Sequence, residues 1–238
     1  MEWVLVAITT VVAGILSAVT GFGGAAILLP VLIHLFGPRE AVVALTVAQL
    51  IGNLSRVWFN RRELDWQVIG WFAVGAVPLT VAGALVFVTA PLTRLTPALG
   101  VALLVLVVGR RLLKGRYPRL GRTGWIAAGG GLGFLSAIVG TAGPLAAPLF
   151  LGRNLTRGAY IGTEAATAVL MHVVKLLAYE TAFLVTTRTG TIGLALGFGL
   201  LVGAYLGKRL VDRMPEALFI TLVEIALIVA GVRLLWSG

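Results

Sequence analysis

The sequence predicts an all-α polytopic membrane protein made of two inverted-topology repeats, each a broken or re-entrant helical hairpin followed by three transmembrane helices. Three observations carry this expectation. The chain of 238 residues is 59% hydrophobic and only 12% charged, with a mean hydropathy of +1.02, far outside the balance of a water-soluble domain. Apolar runs of about 17–25 residues recur along it, each long enough to cross a hydrocarbon core of about 30 Å. Finally, a gapless shift of 119 positions superimposes Gly14, Leu16, Ser17, Ala18, Gly21 and Gly24 on Gly133, Leu135, Ser136, Ala137, Gly140 and Gly143, and pairs Asn53 with His172 and Arg56 with Lys175. That is an internal repeat, residues 1–119 and 120–238, joined by the basic linker 110–122.

The first span covers residues 3–19. It follows Met-Glu-Trp rather than a positively charged leader, so it reads as permanent structure and not a cleaved signal. The break "TGFGG" and a short apolar piece, 25–36, come next; the piece is too short to cross alone and reads as a re-entrant half-helix. Spans at 41–59, 67–89 and 95–113 complete the first half. The second half repeats the order: a span at 124–139, the break "VGTAG", a half-helix at 144–151, and spans at 158–179, 189–208 and 215–235. All six Trp (Trp3, Trp58, Trp66, Trp71, Trp125, Trp236) fall near span ends, where interface anchors belong.

The net charge of +10 would suggest nucleic acid in a soluble chain. Here the cations sit in loops beside spans, so they report topology. If each broken segment crossed once, Lys and Arg would divide 11 against 7. If each is a hairpin returning to its own side, Arg56, Arg61, Arg62, the six linker cations, Arg153, Arg157, Lys208, Arg209 and Arg213 share one side against Arg39, Arg94, Arg188 and Arg233, or 14 against 4, with Lys175 set aside as intramembrane. Positive-inside bias selects the hairpins. A hairpin plus three crossings is odd, so the second half is inverted, both termini face outside, and the linker 110–122 is cytoplasmic in a plasma (inner) membrane. The two Gly-rich tips then meet near the midplane, where irregular backbone is tolerated only around a protein-lined or hydrated cavity.

Each break starts a half-helix whose first amides are unpaired and partially positive. An anion is the natural guest. Gly21, Gly23 and Gly24, and again Gly140 and Gly143, remove side-chain bulk and permit convergent amides; Ser17, Thr20, Ser136 and Thr141 add hydroxyls. The alternative for any single glycine is close helix packing. Thr46, Gln49, Asn53 and Arg56 step by three, four and three residues along one helical face. Glu164, Thr167, His172 and Lys175 form a looser stripe in the other half. Ionisable groups at membrane depth point to a pathway. Two readings stand for most of them: Arg56 and Lys175 either snorkel to opposite faces or guard the two mouths of an anion path. Gln49, Asn53 and His172 either bond between helices or face the substrate. Glu164 and His172 are candidates for proton coupling, and Glu164 is a candidate partner for Lys175 if another segment helps, since the two stand about three turns apart.

Without cysteine there is no disulfide, thiolate metal site or redox dithiol. No nucleotide-binding G-x-x-x-x-G-K-[ST] signature occurs. An intramembrane hydrolase using Ser17 or Ser136 with His172 lacks the nucleophile-turn spacing. No enzymatic activity, cofactor or metal is expected. The expected partners are a small anionic substrate and the lipid bilayer, with no nucleic acid. Gly193, Gly197, Gly199, Gly203 and Gly207 serve either a homodimer or internal packing. The competing readings are a non-transporting membrane assembly protein and a transporter of another small solute.

"GFGGAAILLPVL", the polar helix "ALTVAQLIGNLSRVWFNRRELDW", the glycine-rich "GWFAVGAVPLTVAGALV" and the return of the first element in the second half together resemble the TauE/SafE family of membrane anion exporters. The resemblance covers nearly the whole chain. It implies a polytopic secondary transporter of sulfite, organosulfonates or related small oxoanions, working as an exporter. By position, Gly21, Gly23, Gly24 and Pro30 match the family's first Gly-rich element and Gly140, Gly143 and Pro148 its second, where "GTAGP" departs from the usual glycine run.

Overall fold

The computed structural model describes residues 8–15, 24–113, 118–210, 228 and 232, and every regular element among them is helical. A helical segment over 8–15 is followed by α1 (Gly24–Phe36), α2 (Pro38–Asn60), α3 (Trp66–Thr89), α4 (Leu92–Leu113), α5 (Arg122–Val139), α6 (Gly143–Leu151), α7 (Arg157–Glu180) and α8 (Thr187–Leu210). The spans expected from 41 to 208 fall on α2–α5, α7 and α8, and the two expected half-helices fall on α1 and α6. The span expected at 215–235, most of 3–19, and the candidate residues Ser17, Thr20, Gly21 and Gly23 lie outside the described residues.

Four of the described helices, Pro38–Asn60, Trp66–Thr89, Leu92–Gly109 and Gly158–Glu180, are long and apolar enough to cross a membrane. Their outward faces are apolar as well as exposed: Val74, Leu79, Leu85 and Val86 on α3, and Val101, Val105 and Val108 on α4. In water such a surface would be a liability, whereas in lipid it is the solvent-facing side.

Local chemistry sets the helix ends. The Asp65 carboxylate accepts from the Val68 amide and opens α3, and the Thr156 hydroxyl accepts from the Ala159 amide and opens α7. Pro38 occupies the first turn of α2, where its missing N–H costs nothing. Between α5 and α6 the chain leaves the helix at Gly140, which adopts φ +83.

The helix pairs cross between the two sequence halves. α3 and α5 approach through glycine: a side chain at Gly75 would strike the Ile126 carbonyl, one at Gly83 would lie 2.6 Å from the Phe134 carbonyl, and one at Gly133 would lie 2.9 Å from that of Ala76. The backbones themselves are in contact there. α8 packs in the same manner against α2, with Gly193 on Val47 and Gly197 on Ile51, and against the segment 8–15, with Gly199 on Thr10 and Gly203 on Gly14. Four of the five α8 glycines singled out in the sequence therefore serve internal packing.

α2 and α7 run antiparallel. Going back along α2 from Asn60 to Arg56 to Asn53, the partners on α7 advance from Gly162 to Glu164 to His172. α6 turns back beside α5: Phe150 near its end packs at a tilt against Trp125 in the first turn of α5, with ring centroids 4.9 Å apart. This corrects the expectation for Trp125: it is fully buried in that aromatic cluster with Phe72 and Phe150, and is not an interface anchor. Trp58 and Trp66 are exposed.

Ion pairs gather the charges at two ends. Arg153 after α6 pairs with Asp65 at 3.1 Å, and Thr156 donates to Glu63, so the α2–α3 and α6–α7 turns lie together. Arg119 borders the same cleft as Arg153. At the other end Arg188 pairs with Glu40 at 3.5 Å, and Arg39 donates to the Val88 and Ala90 carbonyls at the end of α3.

Candidate functional site

The break after α5 sits in the interior, and side chains from two other helices hold it. Glycine is favoured at Gly140 because an L side chain at φ +83 crowds its own backbone. The turn leaves carbonyls at the end of α5 without helical partners, and in lipid they must find donors. The Gly140 carbonyl accepts from Gln49 Nε2 of α2 at 2.9 Å and from Lys175 Nζ of α7 at 3.0 Å. The same ammonium reaches Ser136 Oγ at 3.1 Å and the Ser136 carbonyl at 3.3 Å. Tyr179, one turn beyond Lys175, donates its hydroxyl to the Ala137 carbonyl.

A second polar group adjoins the first along the α2–α7 seam. Asn53 Nδ2 lies 3.3 Å from His172 Nε2, so the two positions paired by the internal repeat touch each other. Arg56 donates to Asn53 Oδ1 at 3.0 Å and forms an ion pair with Glu164 at 2.8 Å. His172 Nδ1 is buried without a hydrogen-bond partner among the described residues. The hydroxyls of Thr46 and Thr167 donate back into their own helices, to Val42 and Glu164 carbonyls.

The structure thus brings Gln49, Asn53, Arg56, Ser136, Gly140, Glu164, His172 and Lys175 into one continuous seam. Thr141 is buried at the break itself, and Gly143 and Gly24 are the first residues of α6 and α1. Two expectations are corrected. Lys175 neither snorkels nor stands at a mouth; it has no exposed surface, because α5 curls its carbonyl end over the ammonium. Glu164 pairs with Arg56 across the seam rather than with Lys175 along its own helix, since the antiparallel packing of α2 sets a guanidinium directly opposite. Tyr179 escaped the sequence reading, although its four-residue spacing from Lys175 places both on one face.

Among the described residues the seam holds two basic side chains, Arg56 and Lys175, and one carboxyl group, that of Glu164. Among the described residues this seam carries one more basic than acidic side chain, beside a broken helix and an imidazole whose Nδ1 finds no hydrogen-bond partner among them. No cluster of three metal-ligating side chains occurs among the described residues.

Neither the curated proteins nor the solved structures contain a match to this chain. The family model for the sulfite exporter TauE/SafE matches residues 6–234, nearly the whole length. The chain belongs to the TauE/SafE sulfite exporter family, a family of membrane transporters.

Proposed function

We propose that this protein exports small sulfur-containing oxoanions, sulfite or organosulfonates, through a site where the Gly140 break meets the polar faces of α2 and α7, with the Gly21–Gly24 break as its counterpart in the first half. The observation that carries the reading is the excess of basic over acidic side chains in the seam among the described residues. Lys175 is fully buried, and its three bonds among the described residues all go to neutral oxygens. Among the described residues this buried ammonium has no counter-ion, an arrangement that is costly in lipid and favours a mobile anion beside it. His172 Nδ1 and the first turn of α6 are the additional groups that such an anion would meet.

The two halves are read as inverted repeats. In support, α1 and α6, and α2 and α7, begin 119 residues apart, at Gly24 and Gly143 and at Pro38 and Arg157. α2 and α7 run in opposite directions, as equivalent helices of inverted halves must. The grouping of Asp65 with Arg153 and of Glu40 with Arg188 is the one required by the hairpin arrangement, which divides the cations 14 against 4. By positive-inside bias the end bearing Arg61, Arg62, Arg153 and the linker is cytoplasmic, in the plasma membrane, and both termini face outside.

Voltage alone drives export. An anion leaving a negative compartment gains about 2.3 kcal/mol per charge per 100 mV, so uniport suffices. Sulfite flux from proteoliposomes under an imposed potential tests the reading: inside-negative vesicles should release sulfite faster than depolarised ones. Arg56→Ala and Lys175→Ala should lose that flux while still inserting. No flux of sulfite, sulfate or a simple sulfonate at either sign of potential, or wild-type flux in both variants, would overturn it.

A further inference from the structure

We infer that Lys175 is a tethered stand-in for a bound ion: its ammonium fills a three-oxygen site of the kind a transporter otherwise offers to a free monovalent cation, so the chain carries its own ion and needs none from solution. The site is built from oxygen alone. It consists of the Ser136 carbonyl, the Ser136 hydroxyl and the Gly140 carbonyl, at 3.3, 3.1 and 3.0 Å from Nζ. An ammonium has three N–H donors and no acceptor, so three oxygens satisfy it completely.

The position of this site matters as much as its ligands. Two of the three oxygens are carbonyls of the last turn of α5, at the negative end of a helix that breaks inside the membrane: that of Gly140 is left to side-chain donors, and that of Ser136 is shared between the Gly140 amide and the ammonium. Broken transmembrane helices present such carbonyl ends, with a neighbouring hydroxyl, to alkali cations. Here the cation is covalently attached to α7, and both Lys175 and Ser136 are shut off from solvent. Gln49 Nε2 takes up the remaining capacity of the Gly140 carbonyl, which closes the oxygen cage from the α2 side. A diffusible ion has neither room nor unmet ligands while the lysine is in place. The site therefore links α7 to the α5–α6 break permanently, where a free ion would link them only when bound.

Removing the side chain leaves the oxygens behind. Lys175→Ala should accordingly convert a cation-indifferent protein into a cation-dependent one. The probes are ammonium and methylammonium chloride, against choline chloride at equal ionic strength, with thermal unfolding of the purified protein as the readout. The expected result is a lowered Tm in Lys175→Ala that rises saturably with ammonium or methylammonium and not with choline, while the wild type responds to neither. Adding Ser136→Ala to Lys175→Ala should abolish the recovery. Equal effects of ammonium and choline on Lys175→Ala, or a wild type that responds to ammonium as the variant does, would overturn the inference.

A second measurement uses the unaltered protein and stands even if the variant fails to fold. Anion flux in wild-type proteoliposomes should be unchanged when sodium and potassium are replaced by choline, and a requirement for either alkali cation would refute a tethered ion. The thermal arm does not involve anion transport, so loss of the transport reading would leave it intact.

Discussion

Breaking the Arg56–Glu164 pair should cost less when both partners are removed than the two single losses together. Nη2 and Oε2 are 2.8 Å apart, with 25% of the Arg56 side chain and 8% of the Glu164 side chain exposed. At a charge separation of about 4 Å and an effective dielectric of about 20 the attraction is about 4 kcal/mol. The exposed quarter of Arg56 admits screening, which brings the coupling to about 2 kcal/mol. Removing one partner also strands the other in a poorly solvated seam, so Glu164→Met and Arg56→Met should each destabilise by about 3 kcal/mol. The double variant should fall short of the summed losses by the coupling, about 4–8 °C in Tm for a chain of this size. Thermal unfolding of the four proteins in one detergent, followed by tryptophan fluorescence, measures it. Strictly additive shifts would mean that the pair does not hold α2 to α7, and the seam as described would be wrong.

Two further outcomes follow from the break and from the charge grouping. Gly140→Ala meets nothing closer than Leu45 Cδ2 at 3.4 Å, so its cost is the left-handed backbone alone, about 1–2 kcal/mol. Gly131→Ala, in the open on helical α5, should leave Tm unchanged or raise it, and equal Tm losses in the two would contradict a strained break. In this cysteine-free chain, single cysteines replacing Arg61 and Arg153 should react with an impermeant maleimide from one side of the membrane, and those replacing Arg39, Arg94 and Arg188 from the other. Labelling of the Arg61 and Arg153 positions from opposite sides would refute the hairpin.

The helices were legible because lipid imposes length and composition on each span independently, and glycine marks the break wherever the backbone must leave the helix. α2 and α7 therefore agree with expectation to within three residues at either end. Partner choice was a different matter. Lys175 lies near the end of its helix in sequence, and local position suggests snorkelling; its true ligands, Ser136 and Gly140, belong to a segment that returns only through tertiary packing. Backbone carbonyls carry no residue-type signature, so no pattern of side chains announces them. The sequence offers Lys175 as a partner for Glu164 only with another segment's help, and it does not show that the segment, α2, brings its own guanidinium, since neighbours across a seam leave no pattern along a helix. Trp125 was misplaced because proximity to a span end cannot reveal that α6 folds back over it. The repeat, by contrast, aligned Asn53 with His172, and the antiparallel crossing of α2 and α7 turned that equivalence into a contact.

The glycine contact between α3 and α5 divides the molecule mechanically along lines that the chain order does not follow. α5 opens the second half of the sequence, yet its backbone is sutured to α3 of the first, with no side-chain cushion between Gly75 and Ile126 or between Gly133 and Ala76. α8 is seated in the same way on the segment 8–15. A rocking of one sequence half against the other would have to tear both sutures. The most closely packed units are composite: α3 with α5, and α8 with 8–15, each drawing one helix from either half. α2 packs on the second of these units and α7 on the first, so the polar seam between α2 and α7 is where the two units meet, and the broken helix belongs with α3.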